Sequence, residues 1–168
     1  ARLWPVSRAE TPKQFLPILG DRSLYQQTLL RLAATEAFDA PIVVTIEPLR
    51  FLAAEQARAV GVEVEIVLEP EPHGGAMAVA VGAEILRRRS PDALTLAISA
   101  DHSVLPGESF VSESLARTIA ERSYIVTFGV LPTAPETRFD YIEPGDSIGD
   151  AAHRIGRVVG CPDQSSAD

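Results

Sequence analysis

A single cysteine, Cys161, stands in a chain of 168 residues, which excludes an intrachain disulfide and a Cys-rich metal site and fits a reducing, cytoplasmic setting. Long apolar runs are lacking too. Nothing approaches the roughly 18 consecutive apolar residues of a membrane span, and no charged-then-apolar pattern opens the sequence, so neither membrane insertion nor secretion is expected. Positive charge is scarce. With 15 Lys and Arg against 23 Asp and Glu the formal net charge is -8, so an anionic partner must be held by a local cluster of cations or backbone N–H groups, and nucleic acid is not an expected partner. Internal repeats and low-complexity tracts are absent. What is present is an ordinary globular mix, 46% hydrophobic and 23% charged, far from the composition of disorder. A domain of this size buries roughly two-thirds of its unfolded surface. One domain over residues 1–168 is therefore expected.

Hydrophobic spacing orders the elements. Residues 23–34 place Leu24, Gln27 and Leu30, with Leu29 and Leu32 on the adjoining stripe, at helical spacing, and Ser23 offers an N-cap. Residues 41–46 are a β-branched run suited to a buried parallel strand. A helix is predicted over 48–60 and ends at Gly61; a strand follows over 62–68. The Ala-rich segment 75–89 reads as a helix whose small residues permit close packing and whose Arg87, Arg88 and Arg89 suit its negative carboxyl end. Further strands are predicted over 93–99 and 124–130, a helix over 108–122, a short strand at 141–142 and another over 153–159. Such alternation gives an α/β fold, a three-layer α/β/α sandwich with a mainly parallel sheet, Rossmann-like, with ligands outside the carboxyl ends of its strands.

Three segments carry candidate chemistry. The opening, Arg2-Leu3-Trp4-Pro5-Val6-Ser7-Arg8 and then Pro12-Lys13-Gln14-Phe15-Leu16-Pro17, sets three cations in a proline-stiffened stretch. It reads either as a phosphate grip or as a solvated basic loop. Leu68-Glu69-Pro70-Glu71-Pro72-His73-Gly74-Gly75-Ala76 joins a strand to the Ala-rich helix, where glycines let a ligand approach and the helix start offers free N–H donors. On the residues alone, a plain turn that needs glycine for its dihedrals is the favoured reading. His73 has no metal-ligand spacing to His102 or His153. In Ser99-Ala100-Asp101-His102, Asp101 is either a turn residue or a carboxylate able to hold Mg²⁺ against a phosphate. Cys161 has no neighbour that marks an activated thiol.

The paired spacings Arg-Leu-Trp-Pro-x-Ser-Arg and Pro-Lys-Gln-Phe-Leu-Pro resemble the signature of bacterial mannose-1-phosphate guanylyltransferases, members of the nucleotide-sugar pyrophosphorylases. The Ala100-Asp101-His102 triplet is similar to that family's metal motif, and residues 126–137 to its strand and loop toward the sugar. The resemblance implies that Arg2 and Lys13 are catalytic and hold phosphates, that Asp101 binds Mg²⁺, and that Glu69, Gly74, Gly75 and Tyr141 contact substrate. It also implies a glycine-rich loop ahead of Arg2 and a longer carboxyl-terminal part, so the chain is expected to be cut short at its amino end and to end early. Three places depart from the pattern. His73-Gly74-Gly75-Ala76 stands for Arg-Asn-Thr-Ala, Arg138-Phe139-Asp140-Tyr141-Ile142 for Gly-Tyr-Gly-Tyr-Ile, and Val159-Gly160-Cys161-Pro162 for Val-Glu-Lys-Pro.

The implied activity is Mg²⁺-dependent transfer of a nucleotidyl group from GTP to mannose 1-phosphate, giving GDP-mannose and pyrophosphate. Alternatives are a non-catalytic relative that binds nucleotide, sugar or a partner protein, and a pyrophosphorylase for another sugar. The implied partners are GTP and a sugar 1-phosphate, and the oligomeric state stays open, a homodimer included.

Overall fold

The computed structural model describes residues 3–103, 113–149, 152–160 and 163. They fall into two compact units, Ala1–Glu121 and Arg122–Asp168.

The first unit is built around a parallel strand pair. β1 (Ile42–Ile46) and β2 (Glu65–Glu69) run in register, Ile42 opposite Glu65 and Ile46 opposite Glu69. Parallel neighbours need a crossover. Here a 3-10 turn, Glu47–Leu49, with Pro48 as its second residue, feeds helix α2 (Arg50–Ala59), which packs back on β2. Ahead of them lies helix α1 (Leu24–Ala33), whose start is fixed by a capping box. The Ser23 hydroxyl accepts from the Gln26 amide at 3.1 Å, and the Gln26 side chain accepts from the Ser23 amide. α1 buries Leu24, Tyr25, Thr28 and Leu29, a single stripe at helical spacing. With Phe15, Leu49, Ala53 and Ala57, the Tyr25 and Leu29 side chains make one core, and Val43, Ile46, Ile66 and Ala100 pack against it. Helix α3 (Gly75–Arg89) touches β1, yet none of its residues is buried. Its three closing arginines do more than meet the helix end. Arg87 and Arg88 pair with Glu84, and Arg89 grips Glu65 of β2 through two hydrogen bonds of 2.6 Å. Helix α4 (Glu113–Ala120) closes the unit.

Tyr25 carries a prediction. Its ring stacks edge-on against Phe15 at 5.3 Å, but its hydroxyl is buried with no hydrogen-bond partner among the described residues, and burial pushes the phenol up to about 12. Tyr25→Phe keeps the ring contact and removes the unpaired group. It should raise stability by about 1 kcal/mol, read as a higher urea midpoint with an unchanged slope.

The second unit contains an antiparallel pair, β3 (Tyr141–Gly149) and β4 (Ala152–Val159), with irregular register between Glu143 and Gly149. Two glycines permit it. A side chain on Gly145 would come within 3.2 Å of the Arg154 carbonyl and 3.3 Å of the Gly156 Cα, so the strands close only where both residues lack one.

The α/β class agrees with the sequence, and so do α1, α2 and α3 and the strands at 42–46 and 65–69. Two strands predicted from propensity are not found among the described residues. Residues 93–99 and 124–130 have no ladder partner among the described residues; Leu94 and Ile98 are exposed and Ile125 is wholly so. β-branched composition favours an extended chain, but only a hydrogen-bonded neighbour makes it a strand. The strand foreseen at 141–142 extends to Gly149 because β4 pairs along it. Of the helix predicted over 108–122, residues 108–112 lie outside the described residues.

Candidate functional site

The opening stretch is a succession of turns. The Ser7 amide donates to the Leu3 carbonyl, Arg8 and Thr11 exchange backbone bonds, and the Arg8 guanidinium reaches the Pro5 carbonyl. Lys13–Phe15 then forms a short 3-10 turn. Its last residue anchors it, because the Phe15 ring enters the core while Lys13 stays half-exposed. On the other side of the contact, Ala100 packs against the same core and leaves the next residue, Asp101, at its rim.

Lys13 and Asp101 meet there. The ammonium Nζ lies 2.6 Å from Asp101 Oδ2, and the Ser99 hydroxyl donates to Asp101 Oδ1 at 2.5 Å. His102 Nε2 is 3.8 Å from Oδ1. Burial by itself raises the Asp101 carboxyl, but the hydrogen bonds from Lys13 and Ser99, with the charges of Lys13 and His102, together hold it below the ordinary aspartate value. The carboxylate is thus kept ionised and about one-quarter exposed, at a surface where an incoming cation or phosphate can reach it.

The other residues singled out from sequence are placed as follows. Glu69 ends β2, half-buried. Gly74 is the N-cap of α3 with φ 85° and no capping side chain, and Gly75 is the first helical residue. An L-residue rarely adopts the Gly74 conformation, and no atom lies within 4 Å of where a side chain on either glycine would sit. The helix start is open, and its first N–H groups have no acceptor within the helix. Among the described residues no hydrogen bond or ion pair joins Glu69, Gly74 or Gly75 to the Lys13–Asp101 pair. Tyr141 opens β3 in the second unit, where its hydroxyl accepts from the Glu136 amide at 2.9 Å. Arg2 and Cys161 lie outside the described residues. Arg138 is bound by Glu136 through hydrogen bonds of 2.8 and 2.5 Å, which hold the Glu136 carboxyl down to about 2.

Sequence reasoning missed two groups. Ser99 was legible as the Ser-x-Asp spacing, which lets a hydroxyl reach a carboxylate two residues on. Gln56 was not. It sits on α2, and its amide nitrogen donates to the Phe15 carbonyl at 2.9 Å, a contact no local pattern encodes.

The donor set suits one kind of metal. Among the described residues no three acidic, His or Cys side chains gather as a cage. A single ionised carboxylate fits an ion such as Mg²⁺, which keeps several waters and takes its remaining ligands from substrate phosphates.

The chain is 42% identical over 169 residues to a mannose-1-phosphate guanylyltransferase of Sinorhizobium fredii, covering 99% of this chain and 33% of that protein. It is 44% identical to the xanthan biosynthesis protein XanB of Xanthomonas campestris pv. campestris, covering 99% of this chain and 35% of the relative, and 38% identical to a mannose-1-phosphate guanylyltransferase of Escherichia coli, covering 99% and 36%. The chain thus spans about a third of the length of these curated relatives. Among solved structures, mannose-6-phosphate isomerase from Helicobacter pylori superposes with a TM-score of 0.72 at 24% identity, over 95% of this chain and 60% of that one, a likeness that shows the fold. The family model described as nucleotidyl transferase matches residues 1–167, and with an α/β fold that sets Lys13 against Asp101, the chain belongs to the nucleotidyl transferase family.

Proposed function

We propose that the chain is the transferase part of a mannose-1-phosphate guanylyltransferase, its two compact units belonging to one nucleotidyltransferase domain. The reaction joins GTP and mannose 1-phosphate into GDP-mannose and pyrophosphate in the cytoplasm. The observation that carries this reading is the contact of Lys13 with Asp101, two residues remote in sequence that the fold brings to 2.6 Å.

The chemistry asks little of the protein beyond alignment and charge. A phosphate oxygen of mannose 1-phosphate attacks the α-phosphorus of GTP, the bond from that phosphorus to the β-phosphate oxygen breaks, and its electron pair leaves with pyrophosphate. No protein nucleophile is needed. Negative charge builds on the non-bridging oxygens and the leaving group, and a fixed cation there lowers the barrier most. Lys13 supplies that cation, with Arg2, from the same opening motif, as a second phosphate contact. Asp101 would hold Mg²⁺, which would supply positive charge to the phosphates without proton transfer. The open N–H groups at Gly74 and Gly75 offer donors to an anionic part of the substrates, while Glu69 and Tyr141 serve the sugar nucleotide. No helix among the described residues is long and apolar enough to cross a membrane.

A second reading is favoured by Arg138. Charged residues at 138 and 140 stand where the guanylyltransferase pattern has glycines, and the Arg138 side chain is already committed to Glu136. Such a site describes a relative that binds nucleotide without turning it over.

One experiment separates the two. Pyrophosphate release is measured with GTP and mannose 1-phosphate, beside a GTP titration on the same preparation. Turnover of about 1–10³ per second supports the transferase. Binding without release supports the second reading, and absence of both overturns the first.

A further inference from the structure

The turn that carries Lys13 is held by a side chain from another element. A three-residue 3-10 turn has little stability of its own. Its internal bonds are Phe15 amide to Pro12 carbonyl at 3.0 Å and Leu16 amide to Lys13 carbonyl at 3.1 Å. Two contacts made by Phe15 fix it to the rest of the unit. The Phe15 ring packs on Tyr25, and the Phe15 carbonyl accepts from Gln56 Nε2.

Gln56 is itself locked. Its Oε1 accepts from the Ser23 hydroxyl at 2.6 Å, and its backbone carbonyl accepts from Gln26 Nε2 at 3.2 Å. The Ser23 hydroxyl already accepts from the Gln26 amide, so it has its hydrogen free to donate. A carbonyl such as that of Phe15 can only accept. Turning the amide over would face two acceptors at Phe15 and leave the hydroxyl hydrogen without a partner, so a single orientation satisfies both neighbours. The cap of α1, the body of α2 and the Lys13 turn are thereby joined through one half-buried amide.

We propose that Gln56 is a positioning residue for nucleotidyl transfer: by donating to the Phe15 carbonyl it fixes the turn whose Lys13 ammonium lies on Asp101. This rests on the transferase reading above. Among the described residues no hydrogen bond or ion pair joins Gln56 to Lys13 or Asp101, and Gln56 acts through the Phe15 backbone. Catalysis by a fixed charge is sensitive to such support, since a misplacement of about 1 Å can cost on the order of 10²-fold in rate.

The test compares two variants in the full chain. Gln56→Glu keeps the side-chain length and an oxygen for the Ser23 hydroxyl, but removes the donor to Phe15. Ser23→Ala removes the helix cap and the hydroxyl bond to Gln56 Oε1, but leaves the donor to Phe15 in place, held in its orientation by that carbonyl. Two readouts are taken at a temperature where each variant is folded: hydrogen exchange at the Phe15 and Leu16 amides, and kcat/KM for pyrophosphate release. In Gln56→Glu both amides should lose about tenfold in protection, the factor expected for one hydrogen bond of ordinary net strength, while the Leu29 and Ala57 amides keep theirs. Its kcat/KM should fall about 10- to 100-fold. Ser23→Ala should melt at a lower temperature with kcat/KM within about threefold of the parent, as suits a lost cap.

Unchanged protection at Phe15 and Leu16 in Gln56→Glu overturns the proposal, and so does lost protection with parental kcat/KM. Equal losses of activity in both variants, in step with their melting temperatures, assign Gln56 to stability alone and overturn it too. A parent chain that releases no pyrophosphate overturns the transferase reading instead, and exchange at the two amides then decides whether Gln56 holds the turn.

Discussion

Replacing Lys13 by Met should lower kcat/KM for pyrophosphate release by about 10²–10³, the usual consequence of removing one positioned donor from a developing negative charge. The fold should hardly notice. Lys13 is half-exposed, its pair with Asp101 lies at the surface, and exposed ion pairs contribute at most about 1 kcal/mol. The Met side chain retains most of the aliphatic stem, and Phe15, which anchors the turn, is untouched. Activity and stability therefore separate by magnitude. A drop of two to three decades with a urea midpoint close to the parent's identifies a role in the reaction, and kcat/KM within about threefold of the parent would refute it. Lys13→Arg should fall between the two, since it keeps the charge but replaces a compact ammonium with a longer planar fork.

The part of this architecture legible in the sequence was the part set by local rules. Ser23 offered an N-cap, Pro41 and the β-branched run after it spelled a strand, and Pro48 and Gly61 bracketed a helix. Strand pairing is not local. Residues 93–99 are mostly apolar, as 42–46 are, yet only the latter have a parallel neighbour among the described residues, and apolar character alone cannot say which will. The site divides along the same line. That Lys13 and Asp101 were singled out owed to their motifs, but their contact depends on Phe15 and Ala100 entering one core from distant parts of the chain. Gln56 escaped notice because a glutamine in the middle of a helix carries no signal until the carbonyl it reaches is known. Tyr141 was chosen by motif, and its hydroxyl also accepts from the Glu136 amide, a bond the motif did not announce.

Asp101→Asn should remove most of the dependence of GTP binding on Mg²⁺ while leaving binding in its absence intact or stronger. The amide has nearly the shape of the carboxylate and can still accept from Ser99, so the loss is of charge. A neutral oxygen is a poor ligand for a hard divalent ion, and the ratio of GTP affinities with and without Mg²⁺ should fall by at least about tenfold, since full charge-assisted contacts are worth roughly 1.5–3 kcal/mol. Without metal the sign reverses. Lys13, no longer neutralised by its partner at 2.6 Å, presents its whole charge to the phosphates. The same substitution alters acid stability. In the folded parent the Asp101 carboxyl lies below its ordinary value because Lys13 and Ser99 outweigh the effect of burial. That pairing stabilises the fold fully above the ordinary aspartate range, near pH 4, and is lost as pH falls through the lowered folded value. The variant's carboxamide has no proton to take up, so the melting temperatures of parent and variant should converge as pH drops from about 5 toward about 2, relative to their difference near pH 7. GTP titrations with and without Mg²⁺ decide the first part, and a parental affinity ratio in the variant would remove Asp101 from the metal site. Melting curves across pH decide the second, and a constant difference would mean that the Lys13 contact does not hold the carboxylate ionised.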